Sequence, residues 1–288
     1  GLRRVPAYAA QARAGKVDGF ATPTARRTRP GAVHVDAALG FAYPALGLAT
    51  RELLAIVPEQ GIATAGIHRS HHAGVVGLVV EAFAERGLVA LMFANAPASI
   101  APWGGRRPLY GTDPIAFACP TEGGAPVVID VSMSKVARGK IMAANQKKEP
   151  IPEGWALDAD GNPTTDAKAA LAGTMVPLGD AKGTALALMV ELLCAGLTGA
   201  NYAYEQSSFF DAEGAPPATG QLLIAIDPQA FGGTRALARF AEMAGLVAGM
   251  EGARLPGSRR QAIRERLRRD GIPADAALVI EIEQIAAG

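Results

Sequence analysis

Cysteine, surplus charge and long apolar runs are all scarce in this sequence. Its two cysteines, Cys119 and Cys194, lie in apolar segments without C-x-x-C spacing. That pattern excludes a disulfide framework and a cysteine zinc site, and reduced thiols in a cytoplasmic protein are expected. Lys and Arg number 28 against 27 Asp and Glu, a formal net charge of +1. So even a balance lacks the clustered basic footprint of a nucleic-acid or anionic-membrane binder, and neither partner is expected. Even the apolar segment from Thr184 to Leu197 is broken by Glu191, short of the roughly 18 residues a membrane span needs. No G-x-G-x-x-G follows a strand-like run, which removes support for the common dinucleotide fold. Gly179-Asp-Ala-Lys182-Gly183-Thr184 lacks the G-K-[ST] order of a P-loop, and no H-E-x-x-H occurs.

What is present is a folding composition: 49% hydrophobic residues against 19% charged, the reverse of a disordered chain. At about 150 residues per domain, 288 residues make two domains or one large one. The 34 glycines and 20 prolines imply many turns. The β-branched run Ile62–Ile67 reads as a strand, and Ala73–Arg86 has the apolar spacing of a helix. Strands are expected at 88–93, 115–118, 127–129 and 222–226, and helices at 136–145, 182–197, 234–248, 258–269 and 275–285. The class is mixed α/β. Asp158–Pro163 has turn chemistry without the further ligands of a calcium loop. The basic stretch Arg259–Arg269, interrupted by apolar and acidic residues, reads as a solvated helix face.

Three of the four histidines fall in His68-Arg69-Ser70-His71-His72-Ala73-Gly74, at the turn from strand to helix. Free amides at a helix start bind anions, and Gly74 permits close approach, so a pyrophosphate beside a neutral imidazole fits here. A metal-dependent hydrolase built on His68, His71 and His72 is the competing reading. Lys182 at a helix start, Arg4, and Arg259 and Arg260 after Pro256-Gly257-Ser258 are further candidate anion contacts.

Several ordered motifs point one way: Gly1-x-x-Arg4-x-Pro6-x-Tyr8, Ser70-His71-His72-Ala73-Gly74, Ala101-Pro102-Trp103-Gly104-Gly105, Gly111-Thr112-Asp113-Pro114, Asp130-Val131-Ser132-Met133-Ser134, Ala137-Arg138-Gly139-Lys140, Ile151–Trp155, Pro163–Asp166, Pro177–Gly183 and Pro256-Gly257. Through them the chain resembles the malate/L-lactate dehydrogenase family, which also holds sulfolactate and ureidoglycolate dehydrogenases and reductases of piperideine-2-carboxylate and pyrroline-2-carboxylate. The resemblance implies a non-Rossmann α/β fold with a mixed sheet and flanking helices. It also implies a homodimer, and hydride transfer between NAD or NADP and a small 2-oxo or 2-imino acid. By matching position, Arg4 would clamp the substrate carboxylate. His72, Ala73, Gly74, Val75, Val76, Thr112, Asp130, Val131, Ser132, Lys182, Gly257, Ser258, Arg259 and Arg260 would hold the cofactor. Residues 61–197 would form the cofactor-binding region, and 1–60 with 198–288 the substrate and dimerisation region.

Two departures from the family pattern matter. Its N-terminal Ser-His-Gly motif carries the usual proton donor, and that histidine would stand immediately before Gly1. The 288-residue chain is therefore expected to bind cofactor yet turn over poorly unless His72 substitutes; a non-catalytic cofactor-binding relative is the extreme case. Cyclic-imine reductases of the family often carry an acidic residue where Lys140 stands. A cation there favours a 2-hydroxy acid, with Lys140 stabilising an alkoxide or an anionic tail. No ribose-reading residue decides between NADH and NADPH.

Overall fold

Seven extended segments pair into one sheet and three short ones into a second in the computed structural model, which describes residues 1–287. In chain order the strands are β1 (Thr24–Arg29), β2 (Ala32–Asp36), β3 (Ile62–Ser70), β4 (Val89–Ala94), β5 (Ile115–Cys119), β6 (Val127–Val131), the two-residue β7 (Ala156–Leu157), β8 (Pro163–Thr164) and β9 (Thr174–Met175), and β10 (Thr219–Ile226). The large sheet runs β1-β2-β3-β10-β4-β5-β6. Its β2/β3 pair is parallel and the other neighbours are antiparallel. This is the mixed sheet the resemblance implies. Because β10 lies antiparallel to both β3 and β4, and β5 to both β4 and β6, strands β3, β4 and β6 point the same way and end on one edge.

Alternation of side chains explains which face is covered by what. Val33 and Val35 of β2, Ala63, Ala65 and Ile67 of β3, and Leu223 and Ala225 of β10 all turn to one face and are buried. After α1 (Val5–Arg13), the helices α2 (Ala42–Gln60) and α3 (Gly77–Ala84) cover that face, contributing Leu46, Leu53, Val57, Val80 and Phe83 to the same core. Each such side chain stabilises the fold by about 1.5–3 kcal/mol. A second core, with Met133, Ile141, Ile151 and Met175, lies beneath the small sheet and includes parts of α4 (Arg138–Lys147) and α5 (Ala167–Ala172). On the opposite face of β10, Leu222 meets Phe93, Val190 and Cys194, where α6 (Ala181–Glu191) runs into a π-turn over Leu192–Gly196.

The chain closes with α7 (Gln229–Gly232), α8 (Thr234–Gly249), α9 (Ser258–Asp270) and α10 (Ala276–Ala287). Helix α9 is more than a solvated basic face. Arg264 makes a two-pronged ion pair with Glu81 of α3, at 3.0 and 2.7 Å, and Gln261 donates to the Pro126 carbonyl. The Asp158 loop is the expected turn, its carboxylate accepting the amides of Asp160 and Asn162. Strand β10, from the 198–288 segment, sits between two strands of the 61–197 segment, so both regions share one sheet.

Gly220 is the tightest point of this packing, because a Cβ there would lie 1.7 Å from the Cys194 carbonyl oxygen. Gly220→Ala must push the π-turn off the central strand, an overpacking without a flexible neighbour to yield. A loss of at least about 3 kcal/mol in unfolding free energy is expected, measured by denaturant titration; a wild-type midpoint would refute this account of the contact.

Candidate active site

A cavity of about 500 Å³ opens at the edge where β3, β4 and β6 end. Chain reversals there expose backbone and short polar side chains, the usual place for a ligand in α/β sheets. Its walls come from the turn after β3 (His72, Ala73, Gly74, Val76), the loop after β4 (Asn95–Ser99), Thr112 with Asp130 and Ser132 near β6, the stretch 137–139 that includes Arg138, and the segment that runs from Ala203 to Phe210.

His72 is the best-placed proton carrier. Its Nδ1 lies 2.6 Å from the Tyr8 hydroxyl of α1, and its ring packs on Phe209 with centroids 4.7 Å apart. Burial, then the Arg4 charge, lowers its pKa to about 4. The ring is therefore neutral at pH 7. Either partner can donate in this bond; with Nδ1–H donating to the Tyr8 oxygen, the Nε2 lone pair is free to take a proton. A tyrosine hydroxyl both donates and accepts, so the same bond persists when the imidazole gains a proton. Arg4 lies beside this pair, its guanidinium 4.9 Å over the Tyr8 ring and 5.2 Å from the Phe210 ring, with Nη2 donating to the Phe209 carbonyl.

Asp130 governs the turn. The helix expected from Ala73 begins only at Gly77, because Gly74 takes a left-handed φ of +67° and the Asp130 carboxylate accepts the Gly77 amide at 3.0 Å. That first amide of α3 is thus not free for a phosphate. Burial raises the Asp130 pKa, with the Gly77 bond and Arg260 opposing. The Arg260 guanidinium reaches the space a Gly77 Cβ would fill, and its buried Nη1 has no partner.

Behind the cavity wall two acids are buried together. Glu191 accepts the Ala203 amide at 2.9 Å and the Asn95 side-chain amide at 3.4 Å. Among the described residues, its other oxygen and both oxygens of Asp113 lack a donor in good hydrogen-bonding geometry. Burial and then mutual repulsion push the Asp113 carboxyl well above the usual range; Glu191 also rises, through burial. One proton held between the two carboxyls joins an oxygen of each and removes the repulsion. The pair thereby fixes Asn95 and Ala203, both cavity-lining.

The candidates named from sequence divide. His72, Ala73, Gly74, Val76, Thr112, Asp130 and Ser132 line one cavity. Val75 and Val131 are exposed on either side of it. Lys182 and Arg259 are exposed and, like Gly257 and Ser258, do not line it. Arg260 does not line it either, its guanidinium lying next to Gly77. Lys140 is also outside: it is exposed, with Nζ 5.9 Å from the Trp155 ring centroid. The cavity receives Arg138 instead. Helix α4 starts at Arg138, and two residues of helix rotate a side chain by about 200°, so these cations point in opposite directions. The three clustered histidines do not converge either. His68 turns to Asp36 at 3.7 Å and stacks on His34, His71 is enclosed by Tyr8, Phe41 and Phe209, and His72 faces the cavity. No group of three metal-ligating side chains forms among the described residues.

Sequence reasoning passed over Tyr8, Arg138, Asn95 and the Phe209–Phe210 pair. Tyr8 and Arg138 stood inside quoted motifs, and helical phase was the signal separating Arg138 from Lys140. Asn95 and the phenylalanines carry no local signal, since only the meeting of distant segments brings them here.

The family model described as malate/L-lactate dehydrogenase matches residues 1–283. Among similar proteins, the (2R)-3-sulfolactate dehydrogenase (NADP(+)) of Chromohalobacter salexigens is 51% identical over 287 residues, 99% of this chain and 85% of that protein. A Δ1-pyrroline-2-carboxylate/Δ1-piperideine-2-carboxylate reductase of Pseudomonas putida is 43% identical, covering 94% of this chain and 80% of that one. Among solved structures, the Δ1-piperideine-2-carboxylate reductase of Pseudomonas syringae superposes with a TM-score of 0.93 at 40% identity, over 99% of this chain and 86% of that one. The sulfolactate dehydrogenase of Methanocaldococcus jannaschii gives 0.89 at 28%, over 100% and 84%.

The enclosed histidine sets the acid limit of stability. His71 is 1% exposed, both ring nitrogens lack partners, and burial above all lowers its pKa to about 3. An unfolded histidine titrates near 6.5, so the unfolded state takes up a proton first. Stability is full above about pH 6.5 and falls as pH drops toward 3, by on the order of 5 kcal/mol for this group. His71→Gln should flatten that limb in urea titrations between pH 7 and 4; an unchanged slope would contradict the assignment.

Proposed function

The chain belongs to the malate/L-lactate dehydrogenase family of NAD- or NADP-dependent oxidoreductases, and from that premise we propose that it interconverts a 2-oxo acid carrying a second anionic group with its 2-hydroxy acid, of the sulfolactate or malate type, using NADP. The observation that carries the reading is the neutral His72 in the cavity wall, braced by Tyr8 at 2.6 Å.

When bound, the nicotinamide supplies or takes the hydride. The residues present suit such a group: Thr112 and Ser132 offer hydroxyls in the cavity, and behind Gly77 the Arg260 Nη1, without a partner among the described residues, would answer a phosphate. The chain's own task is the proton. An anionic substrate opposes the burial and the Arg4 charge that hold His72 near 4, so its proton affinity rises on binding. His72 then acts as general acid at Nε2 toward the nascent alkoxide, and as general base in the reverse direction. Tyr8 holds the ring through Nδ1 in both states. Arg4 would take the 2-carboxylate and Arg138 the distal anion, the role first considered for Lys140. Homodimerisation is part of the same reading. It is supported by α8, which has no buried residue and exposes Met243 and Leu246, with exposed Met250 just after it. A cytoplasmic site fits the free cysteines, and no helix among the described residues is long and apolar enough to cross a membrane.

The second reading, reduction of a cyclic 2-imino acid, is favoured by the close superposition on the Pseudomonas syringae reductase. Steady-state rates with sulfopyruvate, oxaloacetate, pyruvate and Δ1-piperideine-2-carboxylate, each with NADPH and NADH, discriminate. The dianionic oxo acids should exceed pyruvate and the imine in kcat/KM by at least about tenfold, the worth of one charge-assisted bond; preference for the imine would transfer the assignment. His72→Asn should lower kcat about 10²–10⁴-fold. Arg138→Gln should reduce kcat/KM for the dianions about tenfold or more while affecting pyruvate less; equal losses would remove Arg138 from the site.

A further inference from the structure

We infer that Lys16 is a positioning residue for the proposed reaction: its buried ammonium fastens the Ser208–Glu213 segment that presents Phe209 to His72 and Phe210 to Arg4. Lysine is rarely buried without pairing, yet this side chain is wholly enclosed. Its Nζ donates to the Ser208 carbonyl at 2.6 Å, to the Asp211 carbonyl at 3.1 Å and carboxylate at 3.0 Å, and to the Glu213 carbonyl. Four acceptors thus share three hydrogens.

The segment depends on such donors. It contains no helix or strand, and no backbone-to-backbone hydrogen bond holds Ser208–Glu213 among the described residues. Its carbonyls are met by side chains from α1 and the turn after it. Beside Lys16, buried Gln11 donates to the carbonyls of Phe209 at 2.8 Å and Asp211 at 2.9 Å, and Arg4 donates to Phe209 at 2.6 Å. Truncating the lysine leaves buried carbonyls without a donor, and each such loss costs about 1–3 kcal/mol. The segment then relaxes toward water, and Phe209 withdraws from its 4.7 Å stack on His72. Lys16 reaches none of the reacting groups. It acts through the shape of the wall.

This inference rests on the oxidoreductase reading for its kinetic arm only. In Lys16→Met, hydrogen exchange of the Ser208–Glu213 amides should accelerate at least about tenfold, with β3 and β10 at wild-type rates. The His72 ring, followed by NMR without ligand, should titrate at least about one unit closer to 6.5. KM for the preferred acid should rise about tenfold with a smaller change in kcat. Gln11→Leu, which removes two donors and keeps the ammonium, should shift the same readouts in the same direction by about threefold, and decides the matter if Lys16→Met does not fold. Unchanged exchange in the segment, or faster exchange with His72 titration and KM unaltered, overturns the proposal. Failure of the wild-type chain to turn over any tested acid defeats the proposed function instead, and the exchange and titration results still judge Lys16.

Discussion

The fold turns on one strand placed between two others. Strand β10 is buried on both faces and pairs antiparallel with β3 and β4, which forces those two to run alike and finish together. Had β3 and β4 been direct neighbours, their ends would abut. With β10 interposed, the turn after β3 and the loop after β4 stand apart, and the space between them is the cavity. The approach of the π-turn to Gly220 seats α6 on this strand and with it Glu191, which anchors the Asn95 loop. A single backbone contact in the core is therefore connected to the wall of the site.

The second constraint is the treatment of charge in a low-dielectric interior. Three solutions occur within one region. Two acids share a proton, as Asp113 and Glu191 do; an imidazole stays neutral, as His71 and His72 do; and an ammonium is surrounded by acceptors, as Lys16 is. Of these groups, only His72 lines the cavity.

Much of this was legible in the residues. The strands expected at 62–67, 88–93 and 222–226 from apolar periodicity are found as β3, β4 and β10, the later helices follow from the same signal, and the motif order carried the family. Gly74, Thr112, Asp130 and Ser132 were picked out by motif and do meet. Legibility failed where position depends on phase or on distant chain. Lys140 was named by its matching position in the family and Arg138 was not considered, because the motif alone does not say where α4 begins. The start of α3 was misplaced because its cap, Asp130, comes from a strand more than fifty residues later. Nothing local marks Lys16 as buried, since a lysine after a glycine turn is ordinarily solvated.

The capping of α3 by Asp130 has a consequence for how nucleotide preference can drift. In folds where fixed main-chain amides seat the phosphates, changing the preferred dinucleotide means rebuilding the turn itself. Here a carboxylate already occupies the first amide, and the spare cationic contact belongs to Arg260 on a peripheral helix. On the proposed reading, substitutions along α9 would therefore alter the choice of dinucleotide while the sheet and the histidine pair stay as they are.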